Sequence, residues 1–285
     1  MRGRVVVWGR VVVWGRGLVP AAAMLIAACT PSQDNRSETT SPNAASTRFA
    51  EKMSGTQEPA QPPAKPFVEK DNNAFLEYSY AYPAQAAAIP ALVAKFDKAR
   101  AASKVDALKM AQEDSAAAKQ SGFPFHPHSL DTQWSVAADT PRFLSLRAES
   151  YVFTGGAHGM TGYEALLWDK ARKRETSIKA MMTSPAAFNA AIRDRFCATL
   201  DKQRAEKRGE PVVRGDDEFT QCIDPMEQVL VPTSKDGKLI DSLTVVVGPY
   251  SAGPYAEGSY DIPVPVDAAM RKAIKTEYQD GFVAP

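Results

Sequence analysis

The chain has 285 residues, with 34 Lys or Arg against 33 Asp or Glu and a formal net charge of +1. So even a balance gives no basic field to hold nucleic acid, and a 44% hydrophobic content is enough to build a sizeable core. The charge is unevenly placed: residues 1–28 hold four Arg and no acid, which leaves 30 basic against 33 acidic residues in the remainder.

The N-terminus has the order of parts of a bacterial lipoprotein signal. Arg2, Arg4, Arg10 and Arg16 make a positive leader, Gly17 to Ala27 is a short apolar core, and Ile26-Ala27-Ala28 brings small residues up to Cys29. On this reading residues 1–28 are a signal peptide that is removed, and Cys29 carries acyl chains, palmitate among them, that hold the protein to a membrane. The apolar run falls short of the ~20 residues of a comfortable span. The other reading is an uncleaved helix that ends in an ordinary cysteine. Thr30, not Asp, follows Cys29, which in a Gram-negative envelope points to the periplasmic face of the outer membrane. Residues 3–14 repeat the hexamer GRVVVW twice, which only lengthens the leader.

Residues 29–66 are rich in Ser, Thr, Pro, Asn, Gln and charge, with Phe49 and Met53 as their large apolar side chains. Such a stretch cannot bury enough surface to offset its ordering entropy, so a disordered tether is expected. The rest predicts an α+β fold, a mainly antiparallel sheet with packed helices, in two consecutive sub-domains over residues 67–165 and 166–285.

In the first sub-domain, Phe75 to Tyr82 alternates as a strand and Pro83 ends it. Ala84 to Gln120 predicts one long amphipathic helix, or two broken near Ala101 to Lys104, stopped by Ser121-Gly122. FPFHPH, residues 123–128, predicts a surface loop. His126 and His128 could both face one metal ion, but no ligand cluster accompanies them. Leu130 to Ala137, Phe143 to Phe153 and Thr161 to Asp169 predict three more strands. Between the last two lies YVFTGGAHG, Tyr151 to Gly159, a connection whose Gly155 and Gly156 allow unusual backbone angles.

In the second sub-domain Ser184-Pro185 opens a helix with a cap and a first-turn proline. Phe188, Ile192, Phe196 and Leu200 recur every four residues as a core stripe, and Lys202 to Gly209 ends it as a charged, ragged tail. In an oxidising envelope Cys197 and Cys222 are most simply a disulfide, stabilising by about 3 kcal/mol through loop closure. Gln228 to Pro232 and Leu239 to Val247 predict a hairpin about Asp236-Gly237. Tyr260 to Val266 predicts a further strand, and Asp267 caps a final helix over residues 268–278. Tyr250 and Tyr255, in the Gly-Pro-Tyr-rich loop before that strand, suit a glycan or protein partner, or packing on the sheet.

Two motifs carry a resemblance. YVFTGGAHG followed by a strand closing on WDKARKRETSIKAMM, and later VVVGPYSAGPYAEGSYDIPVP, resemble a bacterial envelope family that includes the ectodomain of the anti-sigma factor RsiV and the N-terminal, non-catalytic region of the deacetylase PdaC. Residues 170–174 depart from the family's usual Thr-Gly turn. The resemblance implies a membrane-anchored binding protein with a lysozyme-like protein or peptidoglycan as partner. It implies no deacetylase activity, since that belongs to a separate domain whose His-x-x-x-His motif does not occur here. No cofactor motif is present. The candidate binding residues are Tyr151, Gly155, Gly156, His158, Tyr250 and Tyr255. His158 is the one candidate for catalysis: a general base in a peptidoglycan-modifying enzyme, or a ring that bonds the backbone and holds its own loop.

Overall fold

The computed structural model describes residues 63–284. The signal, Cys29 and the tether up to residue 62 lie outside the described residues.

A hairpin opens the fold. Strands β1 (Phe67–Asn72) and β2 (Leu76–Tyr82) pair antiparallel, and the Asn73 side-chain oxygen closes their turn by accepting from the N–H groups of Phe75 and Leu76 at 2.9 and 3.1 Å. Helices α1 (Ala84–Ala87) and α2 (Pro90–Ser121) follow. The break lies at Ala88-Ile89, not at residues 101–104, through which α2 runs unbroken. Pro90 dictates this: a residue before proline is pushed out of the helical region, and Ile89 is extended at φ −115°, ψ 101°. Gly122 ends α2 in the left-handed conformation, φ 73°.

The chain then returns as β3 (His128–Asp139), parallel to β2, and continues through β4 (Phe143–Phe153), β5 (Met160–Asp169) and β6 (Arg174–Thr176), each antiparallel to the one before. The result is a six-stranded sheet in sequence order, and β5 passes unbroken through residues 165 and 166. The turn between β5 and β6 puts Lys173 at φ 50°, a conformation that glycine would adopt at lower cost. His128 is not in a surface loop. It is buried at the start of β3 with Nε2 3.3 Å from an Asp114 carboxylate oxygen, while His126 is exposed, so the two rings diverge. Among the described residues no group of three or more His, Cys, Asp or Glu side chains could hold a metal ion.

Helices α3 (Ile178–Met181) and α4 (Pro185–Arg208) come next. Ser184 caps α4 by accepting from Ala187 N–H at 3.1 Å, and Pro185 occupies its first turn. A three-stranded antiparallel sheet follows, β7 (Val229–Thr233), β8 (Ser242–Val247) and β9 (Tyr260–Pro265). Asp267 caps α5 (Ala268–Lys272). The expected helix to residue 278 stops early because tertiary partners take over: Lys275 N–H donates to Met181 O at 2.8 Å and Ile274 bridges Met182. A 3-10 turn over Thr276–Gly281 completes the chain.

Two cores share the large sheet. On one face Leu76, Tyr78, Leu146, Trp134 and Trp168 pack against Leu92 and Phe96 of α2. On the other, at one end only, Ala138, Phe143 and Leu167 join the stripe Phe188, Ile192, Phe196 and Leu200 and the inner residues of β7 to β9. That stripe is buried throughout. It also continues: Arg204, one more step of four, is completely buried. The helix end expected to be ragged is therefore ordered. Cys197 and Cys222 are joined, with Cα atoms 5.4 Å apart.

A buried carboxylate ties the two layers. Asp169, at the end of β5, accepts from Arg142 Nε at 3.2 Å and from Arg172 Nη1 at 2.9 Å. Arg142 also holds Asp280 at 2.6 Å and Glu277 O at 3.3 Å, fixing the C-terminal turn.

Deleting Phe196 to alanine is expected to destabilise by about 3–5 kcal/mol, read by denaturant unfolding. A second expectation concerns acid. Burial pushes the Asp169 carboxyl up, but hydrogen bonds from Arg142 and Arg172 outweigh burial and hold it below the usual range. A folded-state value below the unfolded one stabilises fully above the unfolded value and is lost as pH falls through the folded one. Stability should thus fall below about pH 4, and Asp169→Asn should lower neutral stability while flattening that acid limb in pH-resolved unfolding.

Candidate functional site

The uncovered part of the large sheet supplies the site. Odd-numbered residues of β4, and of β3 up to Ser135, face away from α2, and beyond the region covered by the second core they line an open groove. Its larger part, about 540 Å³, is lined by Asp131, Gln133, Ser135, Arg147, Glu149 and Tyr151, with Asp261 of β9 opposite. An adjoining part of about 410 Å³ runs between β3 and the small sheet past Val231, Thr244 and Pro263. Arg147 reaches across to Asp261 at 2.6 Å and lies 4.9 Å over the Tyr163 ring. With that pair matched, Asp131 and Glu149 leave the groove acidic; Asp131 also accepts from the Ser79 hydroxyl.

At the rim, the two sequence motifs meet. His158 stacks on Tyr255 with ring centroids 3.7 Å apart and planes 15° from parallel. Tyr250 lies 5.6 Å from Tyr255 and 6.3 Å from His158. Gly159 O accepts from Tyr255 Oη at 2.9 Å and sits 3.0 Å from His158 Nδ1. A carbonyl only accepts, so Nδ1 carries the proton. In the neutral ring Nε2 then accepts from the Tyr250 hydroxyl at 3.3 Å. Both ring nitrogens and one ring face of His158 are occupied. Tyr151 completes the group: a Cβ on Gly159 would fall 2.4 Å from its ring, so glycine there admits the tyrosine.

Four of the expected binding residues, Tyr151, His158, Tyr250 and Tyr255, are thus brought together. Gly155 and Gly156 are not part of the cluster. They hold φ 91° and 92° in the turn before it, with open space where a Cβ would be. Tyr250 has φ 66°, a strained conformation for an aromatic residue, and its side chain is about half exposed. Cys29 lies outside the described residues, and Cys197 and Cys222 sit in the disulfide.

Several contributors are absent from the sequence reading. Glu257 lies against Gly253, whose added Cβ would fall 2.0 Å from its carboxylate. Its carboxylate accepts from the Tyr260 hydroxyl and from Arg208 Nε at 2.8 Å. Burial raises the Glu257 pKa, yet the Arg208 and Tyr260 hydrogen bonds prevail and lower it, while burial next to Glu257 pushes Tyr260 up to about 12. The segment GPYAEG is therefore a self-clamped loop. Arg204 falls one step of four beyond Leu200, the signal by which it could have been read as part of the stripe. The groove was not, because its lining comes from three strands far apart in sequence.

Residues 69–161 match the family model described as deacetylase PdaC. That segment ends just beyond TGGAH and includes neither Tyr250 nor Tyr255. No curated protein matches the chain. Among solved structures, a DUF3298 family member from Bacteroides fragilis has 16% identity and a TM-score of 0.45 over 76% of this chain and 96% of its own. A DUF3298 family protein from Pseudomonas aeruginosa has 18% identity and a TM-score of 0.45 over 78% and 95%.

Removing one hydrogen bond tests the rim. Tyr255→Phe deletes the bond to Gly159 O and should cost about 0.5–1.5 kcal/mol, with the aromatic circular-dichroism signal altered and the far-ultraviolet signal retained.

Proposed function

We propose that this chain is a lipid-anchored protein of the cell envelope whose folded part binds a basic, lysozyme-like protein along the groove. The observation that carries the reading is the pairing of an acidic groove, Asp131 and Glu149, with a rim of partly exposed tyrosines at Tyr151 and Tyr250. Tyrosine supplies large contact area with a polar tip, and carboxylates complement a cationic partner. The lipobox at Cys29 and the segment similar to the PdaC family support an envelope setting. The deacetylase of that family's name is not assigned to this chain. A peptidoglycan-modifying reaction with His158 as base has less behind it, because Nδ1 is held by Gly159 O and Nε2 faces the Tyr250 hydroxyl, with no substrate position beside it.

Calorimetric titration with lysozyme and, separately, with soluble muropeptides tests the proposal. Lysozyme should bind more weakly as salt rises. Glu149→Lys and Tyr250→Ala should each weaken it about tenfold or more, about 1.4 kcal/mol. Binding of muropeptides alone would replace the basic protein by peptidoglycan as the partner. Absence of binding to either would overturn the reading.

A further inference from the structure

The disulfide and the tyrosine cluster are connected by two arginines. Residues 209–224 run from the end of α4 to Cys222 and the turn beyond it. This segment is held to α4 by its own carbonyls: Gln221 O accepts from Arg204 Nη1 at 2.8 Å, Phe219 O from Arg208 Nη2 at 3.1 Å, and Cys222 O from Arg193 Nη2 at 3.0 Å. The same two guanidinium groups hold the tyrosine loop from its other side. Arg204 Nε donates to Ala252 O at 2.8 Å, Arg208 Nη2 reaches Ala252 O at 3.4 Å, and Arg208 Nε and Nη2 hold Glu257 at 2.8 and 3.1 Å. Ala252 lies two residues after Tyr250 and three before Tyr255.

Arg204 makes the connection stiff. It is completely buried, its Nη2 already has no partner, and its one carboxylate contact, Asp201, is at 3.4 Å. Arginine stays charged when buried. A buried cation with so few acceptors cannot lose Gln221 O without seeking another. Its remaining bonded acceptors are Asp201 and Ala252 O.

We propose that Arg204 and Arg208 are positioning residues that couple the Cys197–Cys222 disulfide to the tyrosine cluster. Opening the disulfide releases the 209–224 segment, the two guanidinium groups rearrange, and Tyr250 and Tyr255 shift from His158 while both sheets stay folded. The coupling is independent of whether the groove takes a basic protein, and its test needs no ligand.

The chain has three histidines, His126, His128 and His158, so proton–carbon NMR of the full chain with labelled histidine gives three ring signals. His158, stacked on Tyr255, carries a ring-current displacement. His128, buried at the start of β3 in the other layer, reports whether the large sheet is intact. A dithiol reductant gives the disulfide two electrons and two protons, leaving two thiols and the reductant's own disulfide. On opening, confirmed by thiol titration, the His158 signal should lose its displacement while His128 stays in place. The variant Cys197→Ser/Cys222→Ser should give the same pair of signals. In an Arg204→Met/Arg208→Gln background His158 should already have lost that displacement, and opening the disulfide should add nothing. Arg208→Lys, which keeps the charge but cannot reach Phe219, Ala252 and Glu257 together, should shift His158 partway. The proposal is overturned if His158 does not move on opening, if His128 moves with it, or if the arginine and disulfide effects simply add.

Discussion

Strand β4 has to be buried on both faces at its start, and most of the architecture follows from that constraint. Phe143 faces the core built by α4 and the small sheet, and Leu144 faces the core under α2. Leu167 and Trp168 of β5 divide in the same way. A strand buried on two sides needs a layer on each, so the large sheet cannot stand alone with α2. The second layer is shorter than the sheet, and β4 emerges from beneath it. Past Leu146 the strand turns polar on its outer side with Arg147, Glu149 and Tyr151, and there the groove begins. The site is the part of the sheet that the second core leaves uncovered.

The rim of that groove is built from backbone acceptors as much as from side chains. Gly159 O organises His158 and Tyr255, and Ala252 O organises Arg204 and Arg208. Each carbonyl lies in a glycine-containing connection, where a close approach is possible. Gly159 admits the Tyr151 ring and Gly253 admits the Glu257 carboxylate. The glycines that flank these motifs therefore act by making room, whereas Gly155 and Gly156 act by their backbone angles.

Much of the fold was legible because its signals are local. The Ser184-Pro185 start of α4, its four-residue stripe, the span of β4 and the Asp236-Gly237 turn depend on neighbours in sequence. The misses share the opposite property. Strand β1 is FVEKDN, too charged to announce itself, and exists because β2 offers it an edge. The last helix stops at Lys272 because Met181 O, far away in the chain, accepts from Lys275. His128 was placed at the surface because two prolines surround the loop, yet β2 draws its backbone into the sheet, where its N–H donates to Phe75 O at 2.8 Å. At the candidate site the residue types were readable from TGGAH and PYAEG, but the meeting of the β4–β5 and β8–β9 connections was not. Charge misled at Arg204, where hydrogen bonds to carbonyls let a cation occupy a core position of the stripe.

The division into two cores also has a spectroscopic side. Among the described residues the tryptophans are Trp134 and Trp168, and both belong to the core beneath α2. The emission of Trp134 and Trp168 is therefore a one-sided signal that watches a single layer. The disulfide, the buried arginine and the tyrosine loop belong to the other layer, where the aromatic chromophores are tyrosine and phenylalanine. Loss of emission would report the melting of one half of the molecule and pass over the half that shapes its candidate binding rim.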